Sequence, residues 1–244
     1  MAWYILVAVI AYLIGSINCS ILISKKMAGF DVREKGSGNA GTTNVLRTVG
    51  KKAAALTLLG DILKGVVSVL VAVLVGTLVP DINRAILVEL AAFFAAIGHA
   101  YPIYFGFKGG KAVATSLGIL LVVNWKIGLI CLLFGVLIIA LTRMVSLGSI
   151  TGAVLFAVLT IFIHDSYIAG IPYDYTFIIF GFALASFVIF KHRSNLKRII
   201  AGNENKISFS KKKEAKVEEK TEVKKEEKVE EKVEKTNKDP KETK

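Results

Sequence analysis

The sequence predicts an all-α integral membrane protein of seven transmembrane helices, with the N-terminus outside, the C-terminus cytoplasmic and the polar loops clustered on the cytoplasmic face. Three observations lead there. Apolar residues make up 54% of the 244 positions and mean hydropathy is +0.59, a composition suited to lipid as solvent. Apolar stretches recur at 3–23, 53–79, 85–105, 112–123, 127–142, 146–163 and 174–190. Cations fall on alternate connections between them, as the positive-inside rule asks of a multi-pass chain.

The first stretch has no charged n-region before it and no A-x-A site after it, so it reads as a retained helix and not as a signal peptide. In the connection that follows, Lys25, Lys26, Arg33, Lys35, Arg47, Lys51 and Lys52 outnumber Asp31 and Glu34, which makes that connection cytoplasmic. The second stretch contains Asp61 and Lys64, costly in lipid but spaced i, i+3 so that each can partner the other. Arg84 and Glu89, near the outer end of the third, are expected to snorkel to the interface.

The fourth stretch is short against the roughly 20 apolar residues of a usual span. Counted separately, it returns Arg143, and later Lys191, Arg193, Lys197 and Arg198, to the side of Lys108 and Lys111. Fusing it with the fifth as one bent segment would flip all of these, which the charges oppose. Cys19 and Cys131 both sit in apolar runs and read as small buried hydrophobes, not as a disulfide.

Two regions follow. Residues 1–207 form the membrane domain, and residues 208–244 a low-complexity Lys/Glu cytoplasmic tail, expected to be disordered. From Lys211 onward the tail carries 13 Lys against 11 acidic residues, a balance too even to suggest nucleic acid or anionic lipid as its ligand. No nucleic-acid partner is expected. The body keeps 18 basic against 8 acidic residues.

Three polar stretches of the body face the cytoplasm under this topology. The first is KGSGNAGTTNVLRTVGKK, residues 35–52. Gly36, Gly38 and Gly41 let backbone N–H groups converge, Ser37, Asn39, Thr42, Thr43 and Asn44 add side-chain donors, and Arg47 adds a planar cation, a set suited to phosphate. The same letters satisfy the dinucleotide fingerprint G-x-G-x-x-G, with Asp61 at the spacing of its acidic partner. That fingerprint requires a preceding strand, whereas here the charged FDVREK precedes it and Asp61 belongs to a transmembrane helix. A bare glycine turn would leave the run of donors unexplained.

The second is GHAYPIYFGFKGGKAVATSLG, residues 98–118. It differs from a P-loop because Gly106 stands too near Gly110 and Ala112 occupies the Ser/Thr position. Gly109 and Gly110 are expected to admit a phosphate to the backbone, Lys108 and Lys111 to bring charge, and a helix starting near Ala112 to offer free N–H groups. Lipid headgroups are the plainer ligand for the two lysines. Pro102 disfavours helix at Tyr101, which puts His99 in a last helical turn facing the loops. A helix C-terminus favours imidazolium while a general base must be neutral, and sequence leaves that tension open.

The third is KHRSNLKRIIAGNENK, residues 191–206. It reads as an amphipathic surface helix with Leu196, Ile199 and Ile200 toward the bilayer, and with His192 and Asn195 sharing one face. Ser146 and Ser149 follow Arg143 on the inner side, within reach of this cluster. Ser37, Arg47, His99, Lys108, Lys111, His192, Arg193 and Asn195 together supply more cationic and anion-binding groups than one phosphate needs, so two phosphorylated substrates fit better. One of them can carry an acyl chain and arrive laterally through the helices.

These three motifs, in this order, resemble those of the bacterial acyl-phosphate:glycerol-3-phosphate acyltransferase family known as PlsY, and DILKG at 61–65 is similar to that family too. The resemblance covers residues 1–207; Tyr101 stands where the family often has Phe. It implies a seven-helix membrane fold in the cytoplasmic membrane and transfer of a fatty acyl group from acyl phosphate to the sn-1 hydroxyl of glycerol 3-phosphate. The products are lysophosphatidic acid and inorganic phosphate, the first acylation of phospholipid synthesis. It implies that Ser37 and Arg47 matter for activity, that Gly109 and Gly110 bind glycerol 3-phosphate, that His99, His192 and Asn195 are functional, and that Glu204 is structural. The expected form is a monomer in the bilayer, working beside the enzyme that forms acyl phosphate, with no metal or organic cofactor.

The residue types agree with that chemistry. An acyl phosphate carries its own leaving group, so direct attack by a hydroxyl needs positioning and charge stabilisation and no covalent step. Ser37 and the glycine nest are expected to hold the acyl phosphate, Arg47 and the lysines to neutralise phosphate, and His99 or the substrate's own phosphate to take the proton. The chain has neither a G-x-S-x-G elbow nor an H-x4-D motif. A transporter would place its anion site near the bilayer midplane between repeats, and neither feature is seen. A phosphotransferase or lipid kinase would need metal-binding acids, and Asp31, Glu34 and Glu204 are scattered.

Overall fold

Helix α1 (Ala2–Gly15) ends at Ser16, and α2 (Cys19–Ala28) begins after an extended Asn18 whose side chain accepts from Ile21 N at 3.2 Å. This N-cap satisfies one orphan donor of α2 and restarts the helix within one span. The first apolar span therefore runs over Ala2–Ala28, beyond the expected limit at residue 23. Helix α2 closes on Gly29 at φ 71°.

The structure is a computed structural model and describes residues 1–164, 170–171 and 174–207. Short α3 (Thr42–Thr48) precedes the long α4 (Lys51–Leu78), and α5 (Arg84–Ala100) starts at an Asn83 N-cap. Then come α6 (Val113–Val123), α7 (Trp125–Thr142), α8 (Val145–Phe162), α9 (Thr176–Lys191) and α10 (Arg193–Ile200). Met1–Lys206 form one unit. The tail from residue 208 lies outside the described residues.

Among the described residues, five segments are long and apolar enough to cross a bilayer, or six if α9 and α10, bent by 63°, count as one span. Helix α6, with 11 residues, is the shorter apolar one. It is not continuous with α7. Asn124 is at once the C-cap of α6 and the N-cap of α7, and Gly128 rests on the Leu120 backbone. In a straight helix those two positions would be about 12 Å apart, so α7 folds back on α6.

Helices α1 and α5 meet along small residues, with Gly15 on the Ala95 backbone and Gly98 on the Tyr12 carbonyl. The buried charges find partners inside. Lys64 Nζ lies 2.9 Å from Asp61 Oδ1 and donates to Ile17 O at 2.8 Å, a carbonyl that the α1–α2 break leaves free. Glu89 does not snorkel. Only 8% exposed, it accepts from Thr176 Oγ1 at 3.1 Å, because the first turn of α9 covers it. Cys131 is buried and Cys19 half-buried, both as free thiols.

Candidate active site

The first polar stretch is a loop fastened from beneath by Asn44. This residue, 1% exposed, donates from Nδ2 to Val32 O at 2.9 Å and Lys35 O at 3.0 Å, and its Oδ1 accepts from Ser37 N at 2.9 Å. Asn44 was expected to meet substrate; its amide instead holds the loop that presents Ser37. Gly36 turns at φ 61° directly over Asn44 Oδ1, where a Cβ would collide. Ser37, Gly36, Gly38 and Arg47 are exposed, and Asn39 and Thr43 half-buried. Ala40, at the end of the loop, is fully buried.

The second stretch folds onto the end of α5. Gly109 N donates to Ala100 O at 3.3 Å and Gly110 N to His99 O at 3.2 Å, which satisfies the last carbonyls of that helix. A close backbone approach was expected at these two glycines, and their amides are spent on the end of α5. What glycine supplies here is closeness: a Cβ at Gly110 would strike both the His99 imidazole Nε2 and the Ala40 carbonyl. His99 stands in the last turn of α5, as expected, but is 3% exposed beneath this loop. Its Nδ1 lies 3.5 Å from Asp61 Oδ1. Lys108 is exposed and Lys111 half-buried, just before α6 begins.

The third stretch closes the cluster. Glu204, 8% exposed, accepts on Oε1 from Ser146 Oγ at 2.9 Å and Asn195 Nδ2 at 2.7 Å, and on Oε2 from Arg198 Nε at 2.9 Å. Asn195 Oδ1 in turn accepts from Lys111 Nζ. Arg47 reaches across from the first stretch to Asn205 O at 3.3 Å. Ser146, expected to touch substrate, is engaged with Glu204, whereas Ser149 bonds its own helix at Val145 O.

The electrostatics follow from these contacts. Burial, with the charges of Arg198, Arg47 and Lys191 nearby, lowers the Lys111 pKa to about 8 against the opposing pull of Glu204. Burial and the Lys111 charge bring His192 to about 4. Neutral at pH 7, His192 donates from Nδ1 to Val188 O at 2.8 Å and keeps Nε2 as an acceptor. Burial works to raise the Glu204 pKa, but hydrogen bonds from Asn195, Ser146 and Arg198 outweigh it and hold the carboxyl below its ordinary value.

Below the cluster an apolar groove runs between α6, α7, α8 and α9, with a cavity volume of about 150 Å³. It starts at Val113 and Val188, beside Lys111 and His192, and passes Ser149 and Gly148 toward Cys131 and Phe156.

A family model described as glycerol-3-phosphate acyltransferase matches residues 5–202. The chain belongs to that family. It is 45% identical over 208 residues to a protein of Clostridioides difficile (strain 630) named glycerol-3-phosphate acyltransferase, covering 85% of this chain and 97% of the relative. A protein of the same name in Thermoanaerobacter sp. (strain X514) is 45% identical over 204 residues, 83% of this chain and 95% of the relative. Among solved structures, it is similar to PlsY (YgiH), an integral membrane glycerol 3-phosphate acyltransferase. The glycerol 3-phosphate form matches with TM-score 0.73 and 34% identity, over 84% of this chain and 96% of that one. The lysophosphatidic acid form matches with TM-score 0.70 and 33% identity, over 84% of this chain and 95% of that one.

Within this acyltransferase-family chain, all three sequence motifs meet at one end of the helix bundle. Two contributors escaped the sequence reading. Asp31 and Arg33 were weighed as loop charges, and Asp31 as one of three scattered acids, yet they lock together and Arg33 bonds the second loop. Their i, i+2 spacing with opposite charge was the available signal. The partnership of Asp61 with His99 had none, since 38 residues separate them.

Proposed function

We propose that this protein transfers a fatty acyl group from acyl phosphate to the sn-1 hydroxyl of glycerol 3-phosphate, releasing lysophosphatidic acid and inorganic phosphate at the cytoplasmic face of the cell membrane. The observation that carries the reading is the convergence at Gly110 and Lys111: Gly110 abuts both Ala40 and His99, and Lys111 bonds Asn195. Arg47, Lys111 and Arg198, from three separate stretches, meet around Asn195, Glu204 and Asn205, and the apolar groove is lined from Val113, two residues beyond Lys111. Phosphate charge and an acyl chain each have a place there.

The reaction needs little more than that. The hydroxyl oxygen attacks the acyl carbonyl carbon, the bond from that carbon to the phosphate oxygen breaks, and the hydroxyl proton leaves with the phosphate. Arg47, Lys108 and Lys111 offset the charge of two phosphates, which would otherwise repel as the substrates approach. Ser37 and the loop fixed by Asn44 hold the acyl phosphate, and Lys111 with the Gly109–Gly110 turn receives glycerol 3-phosphate. His192, as buried as His99 and tied to Val188 O through Nδ1, braces the cluster from within. His99 lies covered by Gly110, so the departing phosphate is the better-placed base.

The same reading has α6 and α9 each crossing the membrane, for seven crossings with the N-terminus outside. The protein works as a monomer beside the enzyme that makes acyl phosphate. A donor comparison tests the chemistry: purified protein offered acyl phosphate, acyl-CoA or acyl-carrier protein should use acyl phosphate alone, and Ser37→Ala should abolish turnover. Equal use of acyl-CoA would refute the donor assignment.

A further inference from the structure

Arg33 joins the loop that carries Ser37 to the loop that carries Gly109, Gly110 and Lys111. Its Nη1 donates to Phe105 O at 2.7 Å and to Lys108 O at 3.0 Å. The rest of the guanidinium is gripped by one carboxylate: Nε meets Asp31 Oδ1 at 3.0 Å and Nη2 meets Asp31 Oδ2 at 2.8 Å. This planar fork fixes direction as well as charge, which a lysine cannot do. Asp31, 7% exposed, also accepts from Arg33 N at 3.1 Å and lies 3.5 Å from Lys25 Nζ. The backbone on either side of Arg33 is pinned in turn, since Asn44 bonds the carbonyls of Val32 and Lys35.

The segment Arg33 grips is strained. Gly106, Phe107 and Ala112 have φ of 65°, 59° and 61°, and two of these are not glycine. Such conformations persist only where the surroundings enforce them. The two carbonyls held by Arg33 flank Gly106 and Phe107, and one residue later begins the Gly109–Gly110–Lys111 turn.

We propose that Arg33 is a positioning residue for the acceptor substrate: clamped by Asp31, it holds Phe105–Lys108 so that Gly109, Gly110 and Lys111 stand in register with Ser37 to receive glycerol 3-phosphate. This rests on the activity proposed above. It assigns a function to a side chain outside the phosphate-binding cluster itself, through loop geometry.

Arg33→Lys keeps a cation and loses the fork, so it is the variant to test in the full-length protein. Wild-type turnover is measured first, and its absence would defeat the acyltransferase reading and leave the Arg33 contacts untouched. With wild-type activity established, Arg33→Lys should raise KM for glycerol 3-phosphate about tenfold, as expected for losing hydrogen bonds to a charged group. KM for acyl phosphate should stay near wild type. Amide hydrogen exchange across 105–111 should quicken at unchanged Tm, a change that a general loss of stability would not confine to that turn. Asp31→Asn should move both readouts in the same direction by less, and it carries the test alone if Arg33→Lys fails to fold. Wild-type KM and wild-type exchange in a folded variant would overturn the proposal, as would a fall in kcat with KM unchanged.

Discussion

His99 Nδ1 lies 3.5 Å from Asp61 Oδ1, and Lys64 Nζ lies 2.9 Å from that same oxygen. All three side chains are at least nine-tenths buried. A carboxylate thus sits between an amine and an imidazole, beneath the loop that presents Gly110.

Asp61→Asn removes the charge that offsets Lys64. Breaking one side of a buried ion pair costs about 3–5 kcal/mol, whereas replacing both members with apolar groups is often neutral. Thermal unfolding in detergent should show a Tm loss on the order of 10 °C for the single variant. Asp61→Asn combined with Lys64→Met should recover most of it, and a double variant no better than the single would contradict the pairing.

In the proposed mechanism His99, covered by the loop, supports it, and the departing phosphate takes the proton. His99→Ala should lower kcat while leaving the pH dependence of the remaining rate in its wild-type shape. Disappearance of a limb from the pH–rate profile would instead make the imidazole the base.

Lys111 titrates at about 8, so it is charged below that pH and neutral above it. The phosphate monoester of the acceptor is already a dianion above about pH 6, and an alkaline fall in kcat/KM is therefore the enzyme's. Measured from pH 6 to 10, kcat/KM for glycerol 3-phosphate should fall as pH rises through about 8 in the wild type and stay flat there in Lys111→Arg. An identical limb in both proteins would remove Lys111 from phosphate binding.

Gly110→Ala places a methyl against His99 and Ala40, one buried imidazole and one backbone carbonyl. The loop has to lift. A displacement of about 1 Å at a substrate-positioning loop can cost on the order of 10²-fold in rate, so steady-state assays should show a loss of that size at near-normal Tm. Activity within about twofold of wild type would mean that the contact tolerates slack.

What the sequence made legible was chemistry that repeats locally. Apolar runs located the helices, and the pairing of Asp61 with Lys64 followed from i, i+3 spacing alone. Ser146 lies beside the third motif, as its place after Arg143 suggested, but its hydroxyl is taken by Glu204. Misreadings share one cause, which is that a polar residue near a site serves either a ligand or the backbone, and spacing does not tell which. Asn44 was read as a donor to phosphate and turns out to hold the loop, and the close approach read at Gly109 and Gly110 is made to the end of α5. Glu89 was read as reaching for water, and only the return of α9 at Thr176 reveals its partner. The Asn18 break inside the first span left no mark on the hydropathy.

The most direct test of the central claim is inorganic phosphate release from acyl phosphate by the purified protein in detergent, with and without glycerol 3-phosphate. The account predicts release only when glycerol 3-phosphate is present, mole for mole with lysophosphatidic acid. Release that ignores glycerol 3-phosphate, or none from a folded and monodisperse preparation, would contradict it.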